Sequence, residues 1–221
     1  MLAKDLISDV VPALKTSDSG VKALYWMDIF RISHLPIVND KDFLGLISDK
    51  DIYDINMAEE PIGNHKLSLF SPFVYDYQHI YEVIEIVGRL KLSVVPVLNS
   101  KNQYLGLITI NDLIHYFSQL MSMQHAGGII VLELNANNYS LTQIANLVES
   151  NDIKILSLYV KPIPDSTKLE ITLKLNTTEI NSVIRTFERY DYFIKASYME
   201  DDSMSDMYQN RYDSFMKYLS I

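Results

Sequence analysis

Four residues in two matched pairs carry the chemistry this sequence offers: Ser48 with Asp51, and Thr109 with Asp112. Each pair is a hydroxyl followed three residues later by a carboxylate. Each sits where a β-prone run gives way to a helical pattern, near Ser48 and near Thr109. A helix N-terminus presents unpaired N–H groups and partial positive charge, so it attracts phosphate. A hydroxyl there adds a donor, and a carboxylate one turn on can accept from two ribose hydroxyls. The same spacing has a plainer use. Ser/Thr-x-x-Asp is close to the capping box, in which the two side chains satisfy backbone donors. The two uses are compatible, the hydroxyl serving one and the carboxylate the other.

Phosphate charge needs compensating cations. At the first pair the candidates are Lys50, His34 and Arg31; at the second they are Arg89 and Lys91, with Asn111 where the first pair has Lys50. Arg31 and His34 equally suit the end of a helix, where cations complement the dipole. The five histidines, His34, His65, His79, His115 and His125, show no ligand spacing, so no metal site is expected. Asp49, Asp51 and Asp54 lack the glycine and terminal glutamate of a calcium loop. The absence of cysteine excludes disulfides, thiolate metal sites and a cysteine nucleophile. With no P-loop, G-x-G-x-x-G or G-x-S-x-G, no catalytic residue is assigned and the chain reads as a non-enzyme.

The elements that must position these pairs occur twice. Leu35-Pro36-Ile37-Val38, then Phe43 to Ser48, then Asp51-Ile52 is answered about sixty residues later by Val95-Pro96-Val97-Leu98, Tyr104 to Thr109 and Asp112-Leu113. A fixed-offset repeat suggests a pseudo-symmetric module with a cleft between its halves. Each copy reads as helix, strand, turn, strand, helix. The opening helices show apolar faces through Leu24, Met27 and Phe30 and through Ile80, Val83, Ile84 and Val87. The turns are Asn39 to Asp42 and Asn99 to Asn102. The prolines suit the first position or the edge of a strand, since proline donates nothing to a ladder.

Gly127-Gly128 marks a boundary. Beyond it the order is βαββαβ: strands at Ile129 to Leu134, Ile155 to Lys161, Lys168 to Leu175 and Phe193 to Tyr198, with helices through Leu141, Ile144 and Val148 and through Ile180, Val183 and Phe187. Ser140 to Gln143 reads as a capping box. After an acidic linker, Tyr208, Tyr212, Phe215 and Leu219 form the apolar stripe of a helix over 205–221.

These residues carry a family resemblance. HLPIV…FLGLISDKDI and VPVL…YLGLITINDL make residues 1–125 resemble a tandem pair of CBS domains, a Bateman module, with copies at about 1–60 and 61–125. Residues 129–199 resemble an ACT domain, a regulatory unit of the ferredoxin-like type. The fold class this implies is α+β. The resemblance implies a sensor that holds an adenine nucleotide or adenosyl ligand (AMP, ADP, ATP or S-adenosylmethionine) between the repeats, with no catalytic cofactor. It implies that Asp51 and Asp112 hold ribose, that Ser48 and Thr109 lie near the phosphates, and that Lys50 and His34 assist. Leu35, Pro36, Val95 and Pro96 would line the adenine. It also implies a homodimer, with a protein target as a further partner. A scaffold whose clefts stay empty is the competing expectation.

Composition agrees with an ordinary globular chain, 48% hydrophobic and 21% charged. A net charge of −9 disfavours nucleic-acid backbones. The N-terminal residues do not read as a signal peptide, and no apolar run approaches a membrane span, so a cytoplasmic location is expected.

Overall fold

The computed structural model describes residues 1–55, 59–64 and 71–199. The helix read from Tyr208, Tyr212, Phe215 and Leu219 lies outside the described residues, as does His65. Among the described residues, 1–117 and 118–199 form two compact units.

In the first unit, copy one comprises α1 (Gly20–Phe30), β1 (His34–Asn39), β2 (Asp42–Ser48) and α2 (Asp49–Ile55). Copy two comprises β3 (Val74–Tyr75), α3 (Ile80–Leu90), β4 (Val94–Leu98), β5 (Tyr104–Thr109) and α4 (Ile110–Leu120). Ser19 caps α1 by accepting from the Lys22 N–H at 3.3 Å. His79 caps α3: its ring accepts from the Tyr81 N–H, and its own N–H donates to Glu82 at 3.1 Å. Both helices end at a left-handed residue, Arg31 (φ 54°) and Lys91 (φ 53°), which turns the chain into the next strand.

The two hairpins share register and defect. β1 pairs antiparallel with β2 and β4 with β5, with a bulge between Ile37 and Val38 and between Val97 and Leu98. Gly45 and Gly106 oppose the bulges. A Cβ on Gly106 would lie 2.4 Å from the Ile7 side chain, so the N-terminal segment closes that position to larger residues. Pro36 and Pro96 stand inside β1 and β4 rather than at their starts. Pro36 is tolerated because its polar edge faces away from β2: its carbonyl accepts from the Leu14 N–H at 2.8 Å, and the missing donor falls on that same side.

The copies also trade segments. The turn Ala3–Leu6 packs on copy two, where Ala3 donates to the Gln78 carbonyl at 2.8 Å and Leu6 joins a core with Val83 and Ile108. The turn Ile62–Asn64 closes on copy one, with Ile62 donating to Asp18 and Gly63 to Thr16, both at 2.8 Å. Packing limits therefore differ from the sequence limits 1–60 and 61–125. The copy-one core around Met27, Leu35 and Ile47 takes in Leu92, Val94 and Leu107 from copy two, so neither copy completes its core alone.

The second unit runs β6 (Ile129–Asn135), α5 (Leu141–Glu149), β7 (Ile155–Pro162), β8 (Lys168–Leu175), α6 (Asn181–Arg189) and β9 (Phe193–Tyr198). The sheet order is β7-β8-β6-β9, antiparallel throughout. Each helix thus joins two strands that flank a third, giving two interlocked βαβ units. Ile130, Leu132, Ile171 and Leu173 point to the helices, where Ile144, Val148, Val183 and Phe187 complete the core. Ser140 accepts from the Gln143 N–H at 3.3 Å, but only this half of the anticipated capping box forms. No described helix is long and apolar enough to cross a membrane.

Candidate functional site

Both hydroxyl–carboxylate pairs fold into the strand-to-helix switch, and in both the two side chains bind each other. In copy one, Ser48 Oγ donates to Asp51 Oδ2 at 2.7 Å, the Ser48 N–H donates to the same oxygen at 2.8 Å, and Ser48 Oγ accepts from the Asp51 N–H at 3.2 Å. This is a complete reciprocal cap on α2. In copy two, Thr109 Oγ1 donates to Asp112 Oδ2 at 2.7 Å and accepts from the Asp112 N–H at 3.0 Å. The backbone half of that box is not formed. In each carboxylate Oδ1 has no hydrogen bond among the described residues and remains an open acceptor. Asp51 is exposed, whereas Asp112 is half-buried and Thr109 is buried.

The other expected residues are placed differently. Leu35 and Val95 are 0% exposed and belong to the copy-one and copy-two cores. They offer a ligand no surface, because the pleat turns them inward. Pro36 and Pro96 are buried opposite Leu46 and Leu107. Lys50 is exposed on the first turn of α2 beside Asp51. Arg31 is paired with Asp28 at 2.9 Å, and Arg89 with Glu85 at 2.7 Å, each on the surface of its own helix. Neither is gathered to the motif.

His34 does reach the switch. It pairs in register with Ser48, and its ring lies where the two copies meet. Nδ1 is 3.0 Å from Ser93 Oγ and 3.1 Å from Ser33 Oγ, and it accepts from the Ser93 N–H at 3.4 Å. An accepting Nδ1 places the neutral ring's proton on Nε2. Burial pushes the His34 pKa below its ordinary value, against the pull of Asp49 and Asp51.

Sequence reasoning missed Ser33 and Ser93, which stand 60 residues apart and meet across the junction, the Ser33 N–H donating to Ser93 Oγ at 3.0 Å. The signal was present: both serines stand three residues before the repeated proline. A cleft of about 440 Å³ opens beside this junction, lined by Met27, Arg31, Ser33, Asp49, Tyr53 and Ser93. It flanks the first motif without including Ser48, Asp51 or Lys50 in its wall. Among the described residues no cluster of three or more His, Asp or Glu could hold a metal ion.

Comparison with known proteins matches the CBS domain family twice, at residues 3–58 and 53–119, together more than half of the 221 residues. Inosine-5′-monophosphate dehydrogenase of Bacillus subtilis (strain 168) is 25% identical over 151 residues, covering 63% of this chain and 30% of that enzyme. The chain thus spans under a third of that relative's length. Among solved structures, a CBS domain pair/ACT domain protein of Thermotoga maritima aligns with 54% of this chain and 98% of its own, at 18% identity and a TM-score of 0.47. CBSX2 in complex with AMP aligns with 53% of this chain and 96% of its own, at 18% identity and a TM-score of 0.46. The repeated hairpins, the repeated switch and the double family match lead to one conclusion: the chain belongs to the CBS-domain family.

Proposed function

We propose that the chain is a regulatory sensor that binds an adenine nucleotide or adenosyl ligand at its paired CBS copies. The observation that carries this reading is the recurrence of one arrangement: a hydroxyl bonded at 2.7 Å to a carboxylate with one open oxygen, at the same strand-to-helix switch in both copies. Asp51 and Asp112 are the ribose acceptors, with Ser48 and Thr109 at the phosphate side. Lys50 supplies a cation only at the first switch, where neutral His34 offers at most an Nε2 N–H, so the first site carries the firmer phosphate grip. The second unit is read as an ACT-like domain that passes occupancy on, in a homodimer that acts on a protein target in the cytoplasm. Its support is the interlocked βαβ topology. A thermal-shift panel of AMP, ADP, ATP and S-adenosylmethionine tests the binding step. A ligand that binds only the folded state must raise Tm at saturation.

A second reading has its own observation. The Asp51 carboxylate already completes a helix cap, and the Asp112 carboxylate holds the capping hydroxyl of Thr109, which is a structural reason for their presence. The chain would then be a scaffold that uses the CBS pair to dimerise, and no member of the panel would move Tm.

A further inference from the structure

The sheet of the second unit has one face packed on α5 and α6 and one face turned away from them. The row Ser157–Lys174–Ile129–Tyr198 runs across all four strands of that second face, and Tyr159–Thr172–Val131–Ala196 runs beside it. Tyr198 is 60% exposed, Tyr159 48% and Phe193 62%. Between the rows lies an apolar pocket of about 160 Å³, with Met121 and Met123 at its rim. The face is also basic. Lys168 is paired with Glu133 and Lys195 with Glu170, Lys161 stands opposite Glu170 in register, and Lys174 donates to the Gly127 carbonyl at 2.6 Å, so these four lysines face two glutamates.

The chain leaves this sheet at Tyr198, the end of the first row. The sequence beyond Tyr198 is complementary to the face. Tyr208, Tyr212, Phe215 and Leu219 recur at the spacing of one helical face, and Glu200, Asp201, Asp202, Asp206 and Asp213 outnumber Arg211 and Lys217. A helix of this length is marginal alone in water and needs a surface. The tether from Glu200 to Ser205 can extend roughly 20 Å at about 3.3 Å per residue. The face is about 14 Å wide, for four strands about 4.8 Å apart. We infer that residues 206–219 dock in the same chain on the open sheet face, with a stripe aromatic in the 160 Å³ pocket and the tail's acids toward Lys161 and Lys174. This is independent of nucleotide binding.

Hydrogen exchange on the full chain tests it. Amides of 206–219 should exchange at least about tenfold more slowly than an unstructured peptide. Tyr159→Glu combined with Lys161→Glu, both at the surface, should abolish that protection while β6 and α5 keep theirs. An unprotected wild-type tail overturns the inference, as does protection that survives the double substitution. Should the double variant lose core protection as well, a cross-link decides. The chain has no native cysteine, so Tyr159→Cys with Tyr212→Cys should oxidise to a disulfide within one chain. A disulfide only between chains, or none, overturns docking in the same chain.

Discussion

At the residue scale, the Asp51 and Asp112 carboxylates each hold a hydroxyl through Oδ2 and leave Oδ1 open. Asp→Asn keeps one oxygen for the cap and replaces the open acceptor by an amide that cannot accept from ribose. Asp51→Asn and Asp112→Asn should therefore leave the fold intact and weaken nucleotide binding by about 1–3 kcal/mol, the scale of a charged hydrogen bond. Calorimetric affinity unchanged in both variants would sink the ribose assignment. His34 carries a second residue-scale expectation. Its native pKa lies below the ordinary 6.5 because burial disfavours the imidazolium. Below that ordinary value the unfolded chain takes up a proton that the native site resists, so stability falls as the pH drops through this window. The urea midpoint should therefore fall more steeply between pH 7 and pH 5 in the wild type than in His34→Gln. Equal slopes would remove His34 from the pH response.

At the scale of elements, the most informative comparison is between α1 and α3, which occupy equivalent places in the repeat. Val21, Tyr25 and Ile29 stand one turn apart on α1, all exposed, with exposed Tyr53 on the neighbouring α2. The matching positions of α3 hold Tyr81, Glu85 and Arg89, and the last two form an ion pair at 2.7 Å. One backbone thus carries a solvated face in copy two and an apolar face in copy one. The α1 face is expected to be covered by a second copy of the chain. Tyr25→Glu with Ile29→Arg gives α1 the charges of α3 and should convert a dimer to a monomer. Light scattering at tens of micromolar checks this, and a monomeric wild type refutes the interface. The repeat itself was legible because its turns, prolines and apolar periods recur at one offset. The parallel pairing of Leu14 with Ile37 and the short β3 were not, because a residue or two carries no period. The exchange of Ala3–Leu6 onto copy two was hidden as well, since a short turn finds its partner through tertiary packing. At the site, spacing disclosed both the cap and the candidate clamp. The resemblance puts Leu35 and Val95 beside a ligand, whereas the pleat turns their side chains into the core, a facing that motif position does not disclose.

At the scale of the whole molecule, the two units are held by different cores. Ile130, Leu173 and Phe187 lie in a cluster that draws on the second unit alone, while Met27, Leu35, Val83 and Ile108 lie in clusters of the first. Units with separate cores need not unfold as one, so a single melting temperature is not the expected behaviour. The sequence supplies a probe that separates them. Trp26, the one tryptophan, lies on α1 and stacks on Phe30 at 5.8 Å. Its fluorescence reports the first unit, whereas far-ultraviolet circular dichroism reports both. ATP at about 100 times its Kd would stabilise its binding unit by about 2.7 kcal/mol. For a domain of this size that is a Tm rise on the order of 10 °C. The fluorescence transition should therefore shift, while a second dichroism transition, that of residues 118–199, stays in place. If both signals move together, the two units melt as one cooperative body and the separate cores do not set the unfolding. If neither moves under AMP, ADP, ATP or S-adenosylmethionine, the sensor reading fails and the scaffold reading stands.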